Sequence, residues 1–131
     1  MSKAEYKILI VDDDKVMQEI LTDRLSREPE FKVYTANNGR DGLDKVLAEH
    51  PDLVLLDVQM PIMDGITMAQ ELRKYPNIGD IKVIFLTNFD TDEGILKEIS
   101  EYKPSFYLIK ANTSMDDVVK RIKESLGIWK S

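Results

Sequence analysis

The chain has 131 residues, a net charge of −6 from 18 Lys plus Arg against 24 Asp plus Glu, and no cysteine. That length fits one domain with a real hydrophobic core, and the missing cysteine excludes disulfides, thiolate metal sites and thiol catalysis. The acidic balance argues against direct nucleic-acid binding: the one basic cluster, Lys120, Arg121 and Lys123, falls in the last turns of a helical pattern, where cations suit the helix dipole. Ile8 to Val11 reads as a first strand. Lys15 to Arg27 reads as an amphipathic helix with Val16, Ile20, Leu21 and Leu25 facing inward. Phe31 to Thr35 alternates as an edge strand would, and Asn38 to Glu49 is helical. Leu53 to Leu56 is an unbroken apolar strand after Pro51. Ile66 to Lys74 is a third helix, stopped by Pro76 and Gly79. The fourth strand is Ile81 to Leu86, the fourth helix Asp92 to Tyr102 and the fifth strand Phe106 to Ile109. Ser114 caps a last helix that runs to Leu126, and Gly127 ends it.

Five strand–helix units with near-continuous apolar central strands predict a parallel sheet covered by helices on both faces. The expected architecture is α/β, a doubly wound, flavodoxin-like (βα)5 fold with strand order 2-1-3-4-5. One domain is expected over residues 1–131, with a core of about 6–127 and a short tail at 128–131. The polar segment from Met1 to Lys7 lacks the apolar stretch of a signal peptide, and no apolar run approaches the roughly 20 residues that span a bilayer. No membrane contact and a cytoplasmic location are expected.

The ends of the predicted strands carry the chemistry. Asp12 and Asp13 follow the first strand, Asp57 the third, Thr87 the fourth and Lys110 the fifth. In a parallel sheet all these positions share one edge, and in doubly wound sheets that edge holds the ligand site. Crowded carboxylates repel one another and recruit a cation, and an all-oxygen donor set suits Mg²⁺ or Mn²⁺. A metal beside a carboxylate, an ammonium and a hydroxyl is what phosphoryl transfer needs, with the carboxylate as nucleophile.

Over nearly its whole length the sequence resembles bacterial two-component response-regulator receiver domains. The run from Ile8 to Asp14 looks like their first strand and acidic pair, and Leu55 to Gly65 looks like their phosphorylation strand and following turn. Val83 to Thr87 and Phe106 to Lys110 look like the segments that carry their switch hydroxyl and lysine. The resemblance implies that Asp57 accepts a phosphoryl group, with Lys110 and Thr87 assisting. It implies a metal held by Asp12, Asp13, Asp57 and the main-chain carbonyl of Gln59. It implies a Thr87–Tyr107 switch that alters the face built from the fourth helix, fifth strand and fifth helix. Gln59, Asn88 and Phe89 then flank the path of water to the phosphoryl group. The implied partners are a sensor histidine kinase or phosphotransfer protein on one side and a downstream effector or output domain on the other. The implied state is a monomer or a phosphorylation-dependent dimer. A stand-alone receiver and a receiver cut from a longer regulator both fit. No activity is implied beyond the domain's own phosphotransfer and dephosphorylation.

Three positions depart from the family pattern. Ala111 follows Lys110 where proline is usual, so a trans bond and an altered loop are expected. Asn88 stands where a small residue is usual, and Lys103-Pro104-Ser105 replaces the usual approach to the fifth strand. Asp14 is read as a helix cap, His50 as a surface residue, and Met17, Met68 and Met115 as packing. Two other readings compete with this one. The Asp12–Asp14 run imitates the nucleophile motif of haloacid-dehalogenase-type phosphohydrolases, but no strand follows Lys110 to carry their later acidic pair, and Asp116 and Asp117 fall in a helix. A pseudo-receiver would lack one of the acidic, acceptor or lysine positions, and all are here.

Overall fold

Alternation along three buried strands builds the molecule. The computed structural model describes residues 4–78, 80–88 and 93–129. Its strands are β1 (Tyr6–Val11), β2 (Phe31–Ala36), β3 (Leu53–Leu56), β4 (Lys82–Thr87) and β5 (Phe106–Ile109). Its helices are α1 (Lys15–Leu25), α2 (Gly39–Glu49), α3 (Gly65–Leu72), α4 (Glu93–Tyr102) and α5 (Met115–Ser125). All strand pairs are parallel, in the order β2-β1-β3-β4-β5. This is the doubly wound order expected from the sequence.

Successive side chains of a strand point to opposite faces. Leu9, Val11, Val54, Leu56, Val83 and Phe85 therefore enter one core, with Leu43, Val46, Met68 and Tyr102 of the helices. Ile8, Ile10, Leu53, Leu55, Ile84 and Leu86 enter the other, with Leu21, Leu25, Val118 and Ile122. Each such side chain stabilises the fold by about 1.5–3 kcal/mol on burial. The methionines follow expectation: Met68 is fully buried, and Met17 and Met115 pack against the second core.

The predicted inward face of α1 needs correction. Val16 and Ile20 are 64% and 44% exposed, whereas Gln18, Leu21 and Leu25 are buried. The helix is turned because the Gln18 side-chain amide is drawn under the sheet edge, where it donates to the carbonyls of Asp12 and Ala36. Val16 and Ile20 then fall on the neighbouring, solvent-facing stripe. Element ends move by one or two residues: β1 starts at Tyr6, α1 ends at Leu25, α3 ends at Leu72, and β4 includes Thr87. The predicted start of α4 at Asp92 lies outside the described residues. Two caps match expectation, Asp14 accepting from the amides of Val16 and Met17 and Ser114 from Asp117, and Asp64 caps α3 by accepting from Thr67. The C-cap residue of α2 is His50, exposed and left-handed at φ 50°.

Ionic contacts tie α5 to α1. Arg24 holds Glu28 at 2.9 Å and Asp116 at 3.1 Å, and Lys123 pairs with Glu28 from the other side. Hydrogen bonds from Lys123 and then Arg24 hold the Glu28 carboxyl below the usual carboxylate range. The loop after β3 is fastened differently. Val58 is buried, Met60 and Met63 pack against the first core, and Gly65 N–H donates to Val58 O at 2.9 Å. Between these anchors Ile62 is left 82% exposed with φ +70°, a conformation that a β-branched residue adopts only when its neighbours impose it. At Gly65, by contrast, a Cβ would lie 2.0 Å from the carbonyl oxygen of Asp57.

These two loop positions make opposite forecasts. Ile62→Asn should raise the melting temperature by a few degrees, because left-handed strain of about 1–2 kcal/mol is relieved and no buried contact is lost. Gly65→Ala should lower it, by the overpacking cost of about 1–3 kcal/mol, and shift the Asp57 main chain. Calorimetry on both variants checks this; a less stable Ile62→Asn would mean that the isoleucine side chain anchors the loop.

Candidate functional site

The ladder hydrogen bonds run past the strand ends and carry two acids with them. Asp12 N–H donates to Ala36 O at 3.1 Å, and Asp57 N–H donates to Val11 O at 2.9 Å. Because β1 and β3 are neighbours, the two carboxylates are forced together, and both are buried (2% and 6% exposed). Asp13, one residue on, is exposed. Carboxylate oxygens of Asp12, Asp13 and Asp57 all lie within 4.8 Å of one another.

Lys110 opens the 3-10 turn Lys110–Asn112 directly after β5. Its ammonium lies 2.7 Å from Asp12 Oδ2 and 3.4 Å from Asp57 Oδ2, so one cation bridges both buried acids. The other oxygens accept main-chain N–H groups, Asp12 Oδ1 from Asp14 at 2.9 Å and Asp57 Oδ1 from Gln59 at 3.3 Å. Burial pushes the Asp12 carboxyl above its ordinary value; the Lys110 hydrogen bond pulls down and the Asp57 charge pushes up, and burial prevails. Burial works against the Lys110 charge, but the Asp12 hydrogen bond and the charge of Asp57 outweigh it and hold the amine above its ordinary value. Three carboxylates facing one ammonium leave a surplus of negative charge on hard oxygen donors. That donor set fits a divalent cation.

The remaining expected residues are spread around this centre. Thr87 is buried at the end of β4, in register with Ile109, and so stands level with the residue before Lys110. Tyr107 is half-buried, in register with Phe85, and packs against the first core. Gln59 and Asn88 are exposed. Phe89 lies outside the described residues. No cis peptide bond occurs among the described residues, and Ala111 sits within the 3-10 turn where the family usually has proline. His50 caps α2 at the amino-terminal side of β3, away from the acids. One residue escaped the sequence reading: Gln18, whose amide reaches the main chain of Asp12. In the sequence it stands beside Glu19 as one of two consecutive polar residues, which signals a surface position.

Comparison with known proteins agrees with this arrangement. The family model "Response regulator receiver domain" matches residues 8–123. The transcriptional regulatory protein LnrK of Bacillus subtilis is 33% identical over 117 residues, covering 88% of this chain and 51% of LnrK. A protein-glutamate methylesterase/protein-glutamine glutaminase of Geobacillus kaustophilus is 39% identical over 88 residues, covering 66% of this chain and 24% of that protein. The chain spans between 20% and 51% of the length of the first curated relatives it matches. Among solved structures, the Vibrio cholerae chemotaxis protein CheY4 superposes with a TM-score of 0.82 at 24% identity, covering 93% of this chain and 99% of that one, which shows a shared fold. Among the described residues no helix is long and apolar enough to cross a membrane. The chain belongs to the response regulator receiver domains, the phosphorylation-dependent signalling switches of two-component systems.

Proposed function

We propose that Asp57 accepts a phosphoryl group from a sensor histidine kinase, a phosphotransfer protein or a small phosphodonor. The observation that carries this reading is the buried Asp57 carboxylate sharing the Lys110 ammonium with Asp12, beside an exposed third acid. An Asp57 oxygen attacks the phosphorus, the donor's P–N or P–O bond breaks, and an aspartyl phosphate results. Lys110 then passes from the Asp57 carboxylate to an oxygen of the phosphoryl group, keeping Asp12 as its second partner. The Thr87 hydroxyl donates a further hydrogen bond. Asp12, Asp13, Asp57 and the Gln59 carbonyl would hold Mg²⁺, or Mn²⁺ in its place. Such a cation neutralises charge on the phosphoryl oxygens and lowers the barrier to their approach.

The output we infer is a two-state change on the face formed by α4, β5 and α5. As Thr87 turns to the phosphoryl group, Tyr107 takes up the space it leaves. A downstream effector or an output domain reads that face, as a monomer or through a dimer formed on phosphorylation. Water reaches the aspartyl phosphate past the exposed Gln59 and Asn88, and neither is an acid or base that would speed hydrolysis. The domain works as a cytoplasmic signalling module over residues 1–131, without a separate substrate of its own.

Mass spectrometry after treatment with acetyl phosphate and Mg²⁺ should show one added phosphoryl group, absent in Asp57→Asn. Labelling that persists in the variant would move the acceptor elsewhere. The cation should be needed for transfer but not for folding, because the cores close without it while the carboxylates repel at their rim. A chelator should therefore abolish labelling and leave the circular dichroism spectrum intact. Mg²⁺ at about 100 times its dissociation constant should stabilise the fold by about 2.7 kcal/mol and raise the melting temperature by several degrees. Global unfolding on chelation would contradict this account.

A further inference from the structure

Three residues of α1 are buried, Gln18, Leu21 and Leu25, and one of them is polar. The Gln18 amide nitrogen donates to Asp12 O at 2.5 Å, Ala36 O at 3.0 Å and Asn37 Oδ1 at 2.8 Å. Two hydrogens thus serve three oxygens that converge from the carboxyl ends of β1 and β2. The carbonyl of Asp12 belongs to the peptide that joins it to Asp13, the pair that faces Asp57. Asp12 itself is gripped on both sides, through the peptide before it and the peptide after it. Asp12 N–H is held by Ala36 O, and Asp12 C=O is held by Gln18, while Asp14 caps the helix from which Gln18 projects.

We propose that Gln18 is a positioning residue for the cation: it fixes the Asp12–Asp13 peptide so that the two carboxylates meet Asp57 at a set separation. The inference rests on the metal-site reading above. Gln18 is hydrogen-bonded to main-chain oxygen of the pair, so it acts through Asp12. Its chemistry suits the task. A neutral amide supplies donors behind the acids without adding a positive charge that would compete with the incoming cation. An apolar residue would fill the same core position and leave the Asp12 carbonyl without this donor, and the loop between the acids would lose its rear support.

Mn²⁺ binding, read by the paramagnetic resonance signal of the free ion, tests this on the whole chain. Gln18→Met keeps the side chain's length and removes its donors; it should weaken Mn²⁺ binding by about tenfold. Leu21→Ala, on the same helix, removes core packing but leaves the amide in place, and should bind Mn²⁺ as the unmodified chain does. Without metal, the Asp12 amide should exchange with solvent faster in Gln18→Met than in Leu21→Ala. Unchanged Mn²⁺ binding in Gln18→Met, or equal weakening in Leu21→Ala, would overturn the proposal. If Gln18→Met does not fold, the isotope-labelled unmodified chain decides: the Gln18 side-chain amide protons should exchange slowly and shift on addition of Mg²⁺, and an unshifted, fast-exchanging amide would overturn it. No Mn²⁺ binding by the unmodified chain would overturn the metal reading and this inference together, whereas normal binding that ignores Gln18 overturns the inference alone.

Discussion

Like charges brought together at the ends of β1 and β3 repel, and the Lys110 ammonium between Asp12 and Asp57 is what makes their shared burial tolerable. Burying an unpaired carboxylate costs several kcal/mol, and this ammonium is the cation that both acids reach. Lys110 comes from the opposite end of the sequence and reaches the acids only because β5 ends on the same edge as β1 and β3. Sheet order and site electrostatics are therefore one constraint. The order puts the acids side by side, and the lysine that relieves them is delivered by the strand that closes the sheet.

The rest of the molecule supports that edge. β1, β3 and β4 are buried on both faces, so the acids stand on strands that are packed from two sides and have little freedom to retreat from one another. The flanking loops are fixed by local devices, the Asp14 and Asp64 caps and the methionines of the loop after β3. α5 is bound to α1 by the Arg24–Glu28–Lys123 contacts as well as by its apolar face, whereas α4 is tied to the end of α3 by Arg73, which lies 3.6 Å over the Tyr102 ring and donates to the Tyr102 carbonyl. The helices beside the site are thus held in place by unequal means.

Much of this was legible in the sequence because it depends on periodicity. Unbroken apolar runs at Leu53–Leu56 and Val83–Leu86 could only be central strands, and a parallel sheet then fixes which ends carry Asp12, Asp57, Thr87 and Lys110. The rotation of α1 was not legible. Val16, Ile20 and Leu21 define one apolar face, Met17, Leu21 and Leu25 another, and the two differ by a fraction of a helical turn. What selects between them is the demand of the Asp12 and Ala36 carbonyls for a donor, which exists only after β1 and β2 have been brought together. The strained φ of Ile62 was equally hidden, since it follows from anchors on either side of it in the loop. Thr87 was placed one residue beyond its strand because register with Ile109 is a property of the pair.

Gly65 has a consequence for how this sequence can drift. The space where its side chain would begin is already filled by the main-chain carbonyl of Asp57, 2.0 Å away. Every other amino acid carries a carbon there, so no choice of side chain elsewhere in the loop can compensate without moving the strand that carries Asp57. Three residues earlier, the outward-facing Ile62 position leaves the side chain almost entirely in solvent. Within one short loop, then, a position closed to every side chain by its surroundings lies three residues from one whose side chain is free and whose backbone alone restricts the choice.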